Sequence, residues 1–343
     1  MPFTAVASAD WHFGGSRRLK GYLERQMLMV DKVARIAERK TETGVIMVSA
    51  DVFDREHVLA KERDAFLSKI MHYDAQGLTF VITDGNHDRL SRTHSNLTFL
   101  KILAKFGAFR NLKIAVINPE KFRVQGVDIL AVPWTGWSQK QYNARLLKYL
   151  RDFDCDEPIV MTHEQFRGCP DDKGWQTDEG PKPNKKLMAE ARMVIAGHVH
   201  KRQRIRDCAF YTGAPMQKTF GEDQDKGVLV VNYSKPNRPK YVPIKGIKPL
   251  VTLTEIPEDG EWPDAYIKLK LPKHTPIGAL PEDVVYNVYD SADLADTPSR
   301  KVDLSNPLDG LRELLIEVGL PKRLLNKALE YAEDIYNASQ SLH

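Results

Sequence analysis

Leu78-Thr79-Phe80-Val81-Ile82-Thr83-Asp84-Gly85-Asn86-His87-Asp88 is the stretch on which the reading of this chain turns. Its first five residues form an apolar run bounded by turn residues, the pattern of a strand buried on both faces in a parallel sheet. The run gives way to Asp84-Gly85, and an amide, an imidazole and a carboxylate follow at once. Open α/β sheets place ligands at the carboxyl ends of their strands. Asn offers a carbonyl oxygen to a metal, and His can donate or accept a proton. Taken alone, the cluster also reads as an Asx-rich turn leading into a helix.

Four more clusters lie outward from it, each after a short apolar run. Thr4 to Ala9 ends at Asp10-Trp11-His12, and Val45 to Val48 ends at Ser49-Ala50-Asp51-Val52-Phe53-Asp54. Pro158 to Thr162 ends at His163, and Met193 to Ala196 ends at Gly197-His198-Val199-His200. Between the first three strands, helical spacing is expected from Arg17 to about Lys40 and from about Leu59 to Asp74. A β-α-β-α-β order implies a parallel sheet with right-handed crossovers, so the fold class is α/β. Further helices are expected at about Ser95–Phe106 and Gln139–Phe153. Short strands are expected at Ile114–Ile117, at Phe122–Val124 and Ile129–Val132 around the Gln125-Gly126 turn, and within Arg204–Tyr211, Gly227–Asn232 and Lys240–Pro243. Gly168 to Pro183 reads as a polar loop.

Near residue 248 the character changes, and we divide the chain into domains 1–248 and 249–343. The second carries strand patterns at Tyr266–Leu271 and Val284–Tyr289. Two amphipathic helices follow, through Leu311–Val318 and Leu324–Ile335, with Gly319 closing one and Pro321 in the first turn of the other.

At 343 residues and 42% apolar content, the chain can bury a large core. A net charge of +4 permits a nucleic-acid partner without arguing for one. Three cysteines, Cys155, Cys169 and Cys208, fall at no zinc-like spacing and point to a reducing, cytoplasmic compartment. Met1 to Ala9 lacks the basic start of a signal peptide, and no run approaches the ~18 apolar residues of a membrane span, so no membrane association is expected.

The five clusters together offer carboxylates, imidazoles and an amide oxygen, with no thiolate, a donor set suited to Mn²⁺, Fe²⁺ or Zn²⁺. In a strand, residues i and i+2 point to one side, so Asp10 with His12, and His198 with His200, can each reach one point. Asp10, His12, Asp51, Asn86, His163, His198 and His200 are too many ligands for one ion and suit two that share a carboxylate. Two metals ~3.5–4 Å apart clamp the attacking and leaving oxygens of a phosphoryl displacement. His57, His72, His94, His274 and His343 lie in helices, loops or the tail and are not assigned to the site.

The order D-x-H, D-x-x-D, G-N-H-D, T-H, G-H-x-H resembles the calcineurin-like metallophosphoesterase superfamily over about residues 4–245. Asp51-Val52-Phe53-Asp54, the run Gly197 to Gln203 and Tyr211-Thr212-Gly213-Ala214-Pro215 resemble its SbcD-type branch of repair and phage recombination nucleases. That resemblance implies a β-sandwich flanked by helices in four layers, with a smaller α+β capping domain. It implies one metal on Asp10, His12, Asp51 and His200, and a second on Asp51, Asn86, His163 and His198, with two Mn²⁺ as cofactors. It implies that His87 faces the scissile phosphate as a catalytic residue and that Asp88 orients it. Asp54 stands where some relatives carry His, and Ala50 where the family usually has Gly.

The implied activity is a Mn²⁺-dependent DNA nuclease, exonucleolytic on duplex ends and endonucleolytic on single strands. A phosphatase or small-molecule phosphodiesterase of the same superfamily is the alternative. Arg89, Arg92, Lys201, Arg202 and Arg204, with Arg206, Lys182, Lys185 and Lys186 nearby, are candidate phosphate contacts. Trp11, Trp134 and Trp137 are candidates for stacking on unpaired bases. The implied partner is an SbcC-type coiled-coil ABC ATPase in a heterotetramer built on a homodimer of this chain; the chain itself has no Walker A sequence.

Overall fold

A computed structural model describes residues 3–17, 19–171, 174–176, 180–257, 261–272 and 280–289. The chain divides into two compact units, residues 1–271 with 276–287, and residues 272–275 with 288–343. The second lies almost wholly outside the described residues, as do both expected C-terminal helices and His274 and His343.

The first sheet is built from β1 (Thr4–Ser8), β2 (Val45–Ser49), β3 (Thr79–Thr83) and β4 (Leu112–Ala115), all parallel. The crossovers are α1 (Tyr22–Lys40), α2 (Ala60–Ala75) and α3 (Thr98–Lys105). The second sheet holds β5 (Glu120–Val124), β6 (Val127–Ala131), β7 (Ile159–His163), β8 (Met193–Gly197), β9 (Gln203–Arg206) and β10 (Ala209–Tyr211), in the order β5-β6-β7-β8-β10-β9. Helices α4 (Gln139–Asp152) and α5 (Lys185–Glu190) fall between its strands. The chain then returns to the first sheet with β11 (Gly227–Asn232), antiparallel to β1, and β12 (Lys240–Pro243). A third sheet orders β13 (Leu250–Leu253), β14 (Tyr266–Pro272) and β15 (Val284–Tyr289).

Alternation along the strands explains the four layers. Ala5, Ala7, Val45, Met47 and Val81 point inward and meet Ile129, Ile159, Met161, Met193 and Ile195 of the second sheet. Their neighbours Val6, Ile46, Val48, Phe80 and Ile82 point outward onto Met29, Val33 and Ala37 of α1 and Phe66 and Ile70 of α2. On the far side, Leu130, Val160, Val194 and Ala196 meet Tyr142, Leu146 and Leu150 of α4. Both faces of each sheet are covered, so the strands read as unbroken apolar runs. The two sheets flanked by helices are those expected.

Local differences have local causes. α1 begins at Tyr22 rather than near Arg17 because Gly21, at φ 71°, turns the chain left-handed just before it. β4 starts two residues earlier than expected and closes before Ile117, whose φ is 66°. α5 was not expected: Asn184 Oδ1 accepts the Leu187 N–H at 2.8 Å and caps it. β13, which pairs in parallel with the next strand, β14, was also not expected.

Candidate metal centre

The carboxyl ends of β1, β2, β3, β7 and β8 lie along one edge of the sandwich, with Ser49 opposite Thr83 in one sheet and His163 opposite Gly197 in the other. The loops beyond them carry six of the seven candidate ligands, and His163 is the last residue of β7.

These residues converge by a different route from the one expected. Asp10 and His12 have left the strand, with φ of 56° and 47°, and so have Ala50, Asp51 and His198, at 75°, 47° and 97°. Strand alternation therefore does not aim them; a left-handed backbone does. Cross-loop hydrogen bonds hold it: Asp10 N–H donates to Ala50 O at 3.1 Å, His12 N–H to Asp51 O at 3.0 Å and Phe13 N–H to Val52 O at 2.7 Å. Two glycines let the loops close. A Cβ on Gly85 would overlap the Asp51 carboxylate, and one on Gly197 would overlap the Ser49 carbonyl.

Asp51 sits between two groups of donors. Its Oδ2 is 3.2 Å from His163 Nε2 and 3.8 Å from His12 Nε2, and its Oδ1 accepts the His87 N–H at 3.1 Å. Burial would raise its pKa, but the imidazoles of His163, His12 and His87 outweigh that and hold it well below the carboxylate range. On one side, His163 Nε2 lies 3.1 Å from Asn86 Oδ1, which is 3.2 Å from His198 Nδ1. His163 Nδ1–H donates to the Ser49 carbonyl at 3.0 Å, which aims Nε2 inward. The His198 N–H donates to both oxygens of Asp10, at 3.0 and 3.2 Å. On the other side, His12 Nε2 and His200 Nε2 face each other at 3.0 Å.

The electrostatics fit divalent cations. Burial disfavours the charged form of His12 and His198 and pushes both down to about 3, so both rings are neutral donors. Burial works the same way on His163, but Asp51 and Asp10 override it and drive the ring up to about 10. Two buried carboxylates thus draw positive charge into a closed space. Oxygen and nitrogen donors crowd together there, as bound cations require.

Sequence reading missed several supporting residues. Glu222 Oε1 is 3.1 Å from His200 Nδ1, which turns His200 Nε2 towards His12. Glu222 also accepts the N–H groups of Lys218 and Thr219 and pairs with Lys226 Nζ at 3.0 Å. Burial would raise its pKa, but His200 and Lys226 bring it down to about 2. Asp54 Oδ1 lies 3.4 Å from His12 Nδ1 and 2.8 Å from Lys218 Nζ, so its carboxylate orients His12. Glu222 lies in none of the five clusters legible in the sequence.

His87 and Asp88 divide their work differently from the expectation. His87 Nδ1–H donates to the Asp54 carbonyl at 2.6 Å, and this bond orients the ring. Its side chain is 37% exposed, unlike the buried candidate ligands Asp10, His12, Asp51 and His163, so solvent or substrate can reach it. Asp88 does not orient it. Asp88 is fully buried and accepts from the N–H groups of Gly85, Phe53 and Val52 at 2.9, 2.8 and 3.2 Å, tying the His87 loop to the Asp51 loop.

The candidate phosphate contacts are scattered. Arg89 is half-buried and paired with Asp84, its Nε 2.8 Å from Oδ2. Arg92 and Lys201 are exposed. Arg202 lies 3.5 Å over the Tyr241 ring and pairs with Asp225, and Arg204 donates to the Asp207 and Asn237 carbonyls. Trp11 is core, 1% exposed with Nε1–H donating to Ser8 Oγ, and does not present a stacking face; Trp134 and Trp137 are half-buried at the surface. His57, His72 and His94 are exposed outside the donor cluster. Among the described residues, no helix is long and apolar enough to cross a membrane.

Comparison with known proteins agrees with this geometry. The sequence pattern of the calcineurin-like phosphoesterase family matches residues 3–202. The chain is 27% identical over 280 aligned residues to SbcD, the protein of Bacillus subtilis (strain 168) named as a subunit of the nuclease SbcCD, covering 71% of this chain and 70% of that one. It is 32% identical over 82 residues to a protein of Invertebrate iridescent virus 6, 244L, whose name describes it as a phosphoesterase. That match spans about a quarter of each chain, 24% of this one and 27% of the viral one.

Proposed function

The chain belongs to the calcineurin-like phosphoesterase family, and from that premise we propose that it is a Mn²⁺-dependent DNA nuclease, the hydrolytic subunit of an SbcCD-like complex. One observation carries the chemistry. Asp51 lies between a His12/His200 pair and an Asn86/His163/His198 group, all presenting donor atoms at 3.0–3.3 Å spacing within each group. Asp10, His12, Asp51 and His200 would hold one cation, and Asp51, Asn86, His163 and His198 the other. Two bound divalent cations supply Lewis acidity for the phosphoryl oxygens and bring the pKa of water near neutrality.

The protein's own groups do the rest. Asp51 and Asp10 offset part of the positive charge, and the neutral rings of His12 and His198 leave a net attraction for a phosphate. Glu222 and Asp54 fix which nitrogen of His200 and His12 faces inward. His87, held through Nδ1–H by the Asp54 carbonyl, turns Nε2 to the leaving oxygen; as the imidazolium it gives that oxygen its Nε2 proton as the P–O bond breaks and is left neutral. The choice of DNA rests on the likeness to the nuclease SbcD over most of the chain and on exposed Arg92 and Lys201. By the same likeness we propose an ATPase subunit as partner, docked through residues after about 305, and dimerisation through the first domain.

The test incubates purified protein and Mn²⁺ with end-labelled DNA and, separately, with p-nitrophenyl phosphate. Cleavage of the DNA is expected. Turnover of the monoester alone would replace the nuclease with a phosphatase. Deletion after residue 305 is expected to abolish co-purification with a coiled-coil ATPase; retained binding would move the docking surface elsewhere.

A further inference from the structure

A groove of about 790 Å³ opens beside the candidate metal centre, and Asn86 belongs to both. That volume lies within the ~300–1,000 Å³ of typical small-ligand sites. Its far wall comes from the loop after β6 and from α4. Arg145 is exposed, and its guanidinium lies over the Trp137 ring, 4.8 Å from the centroid. Trp137 in turn stands 6.1 Å from Tyr149, with the two rings inclined at 31°. Trp134 lines the stretch between Asn86 and Trp137, and its carbonyl accepts from Arg89 Nη2 at 3.0 Å. Exposed Arg92 adds charge to the rim.

Arg89 is paired with Asp84, and Arg92 and Arg145 set against one lining carboxylate, Glu56, leave the groove a small positive balance. Flat aromatic surface interleaved with guanidinium is the chemistry of single-stranded nucleic-acid grooves. Bases stack on rings or guanidinium planes there, and arginines meet the phosphates. A rigid duplex presents phosphates but hides its base faces, so it would leave the aromatic wall unused.

Resting on the nuclease reading, we propose that this groove holds the unpaired nucleotides adjoining the scissile phosphate, with the Trp137–Arg145 pair as the stacking platform for a base. The strand runs from Asn86 past Trp134 to this pair. The groove thereby selects single-stranded or frayed ends and feeds them to the metal centre, without reading sequence.

The test measures binding of fluorescein-labelled dT8 by anisotropy, on the full chain in EDTA, so that binding is read without turnover. Trp137→Ala is expected to weaken binding about tenfold or more, the loss expected for one stacked base. Trp137→Phe should retain most of the affinity, which separates stacking from a folding defect; circular dichroism melting accompanies each variant. Arg145→Ala should lower the slope of log K against log salt by about 0.7. Unchanged dT8 affinity in Trp137→Ala, or no dT8 binding by the wild type, would overturn the proposal. A dimer lost in Trp137→Ala on sedimentation, with dT8 affinity unchanged, would also overturn it and give the groove to a second copy of the chain. Hydrolysis of bis(p-nitrophenyl) phosphate by the wild type with Mn²⁺ reports on the metal centre alone. Turnover there combined with unchanged dT8 binding rejects the groove and leaves the phosphodiesterase reading standing.

Discussion

The Nε2 atoms of His12 and His200 face each other at 3.0 Å, each in a ring whose Nδ1 is directed to a carboxylate, Asp54 for His12 and Glu222 for His200. Glu222 Oε1 meets the Nδ1 of His200 at 3.1 Å and Asp54 Oδ1 lies 3.4 Å from the Nδ1 of His12, so both rings turn Nε2 inward. A cation held by His12 and His200 would be bound through these inward-facing nitrogens.

On the two-cation reading the outer carboxylates contribute to metal affinity. Glu222→Gln keeps the shape and removes the charge. One of the two Mn²⁺ binding steps is expected to weaken ~10–100-fold, the usual cost of removing such support. Isothermal titration checks this, and an isotherm identical to the wild type would show that Glu222 only anchors its loop.

The same residue carries a pH signature in metal-free protein. Its folded pKa, about 2, lies below the ordinary 4.5, so its contribution is complete above pH 4.5 and is lost as pH falls towards 2. At ~1.36 kcal/mol per pH unit, up to about 3 kcal/mol is involved. Urea unfolding between pH 6 and 3 should show the wild type losing more stability than Glu222→Gln; parallel curves would contradict the ion-pair account.

His87 should separate chemistry from metal binding. His87→Ala is expected to keep both ions while turnover drops ~10²–10⁴-fold, the range for a missing general acid. Metal content and single-turnover cleavage measure the two independently. Loss of an ion in this variant would make His87 a ligand.

Ala50 marks a strained point. Its φ of 75° is a region that L-residues other than Asn and Asp avoid at a cost of ~1–2 kcal/mol. Ala50→Gly relieves that strain but loosens the unfolded chain by ~0.4–1 kcal/mol. A net gain of about 0–1.6 kcal/mol is expected in chemical denaturation, whereas a loss above about 1 kcal/mol would mean that the buried methyl group outweighs the strain.

Much of this was legible in the sequence because two-sided burial leaves continuous apolar runs, and Asp, Asn and His directly after such runs have few structural reasons to recur. The runs ending at Asp10, Asp51, Asn86, His163 and His198 located both the sheets and the donor set. The supporting shell was not legible. Glu222 comes to His200, and Asp54 to His12, through loop geometry that no periodicity encodes. The same holds for Asp88, whose buried carboxylate gathers three backbone N–H groups rather than the neighbouring imidazole. Alternation also gave a wrong reason for a right grouping. Asp10 and His12 meet because a left-handed turn replaces the strand after Ser8.

The most direct test of the two-cation centre is the manganese content of the protein, measured by mass spectrometry after equilibration with Mn²⁺ and removal of free ion. We expect about two ions per chain in the wild type and fewer than one in Asp51→Asn, which loses the charge placed between the two groups. A wild type that retains no manganese, or an Asp51→Asn variant that still holds two ions, would contradict the account.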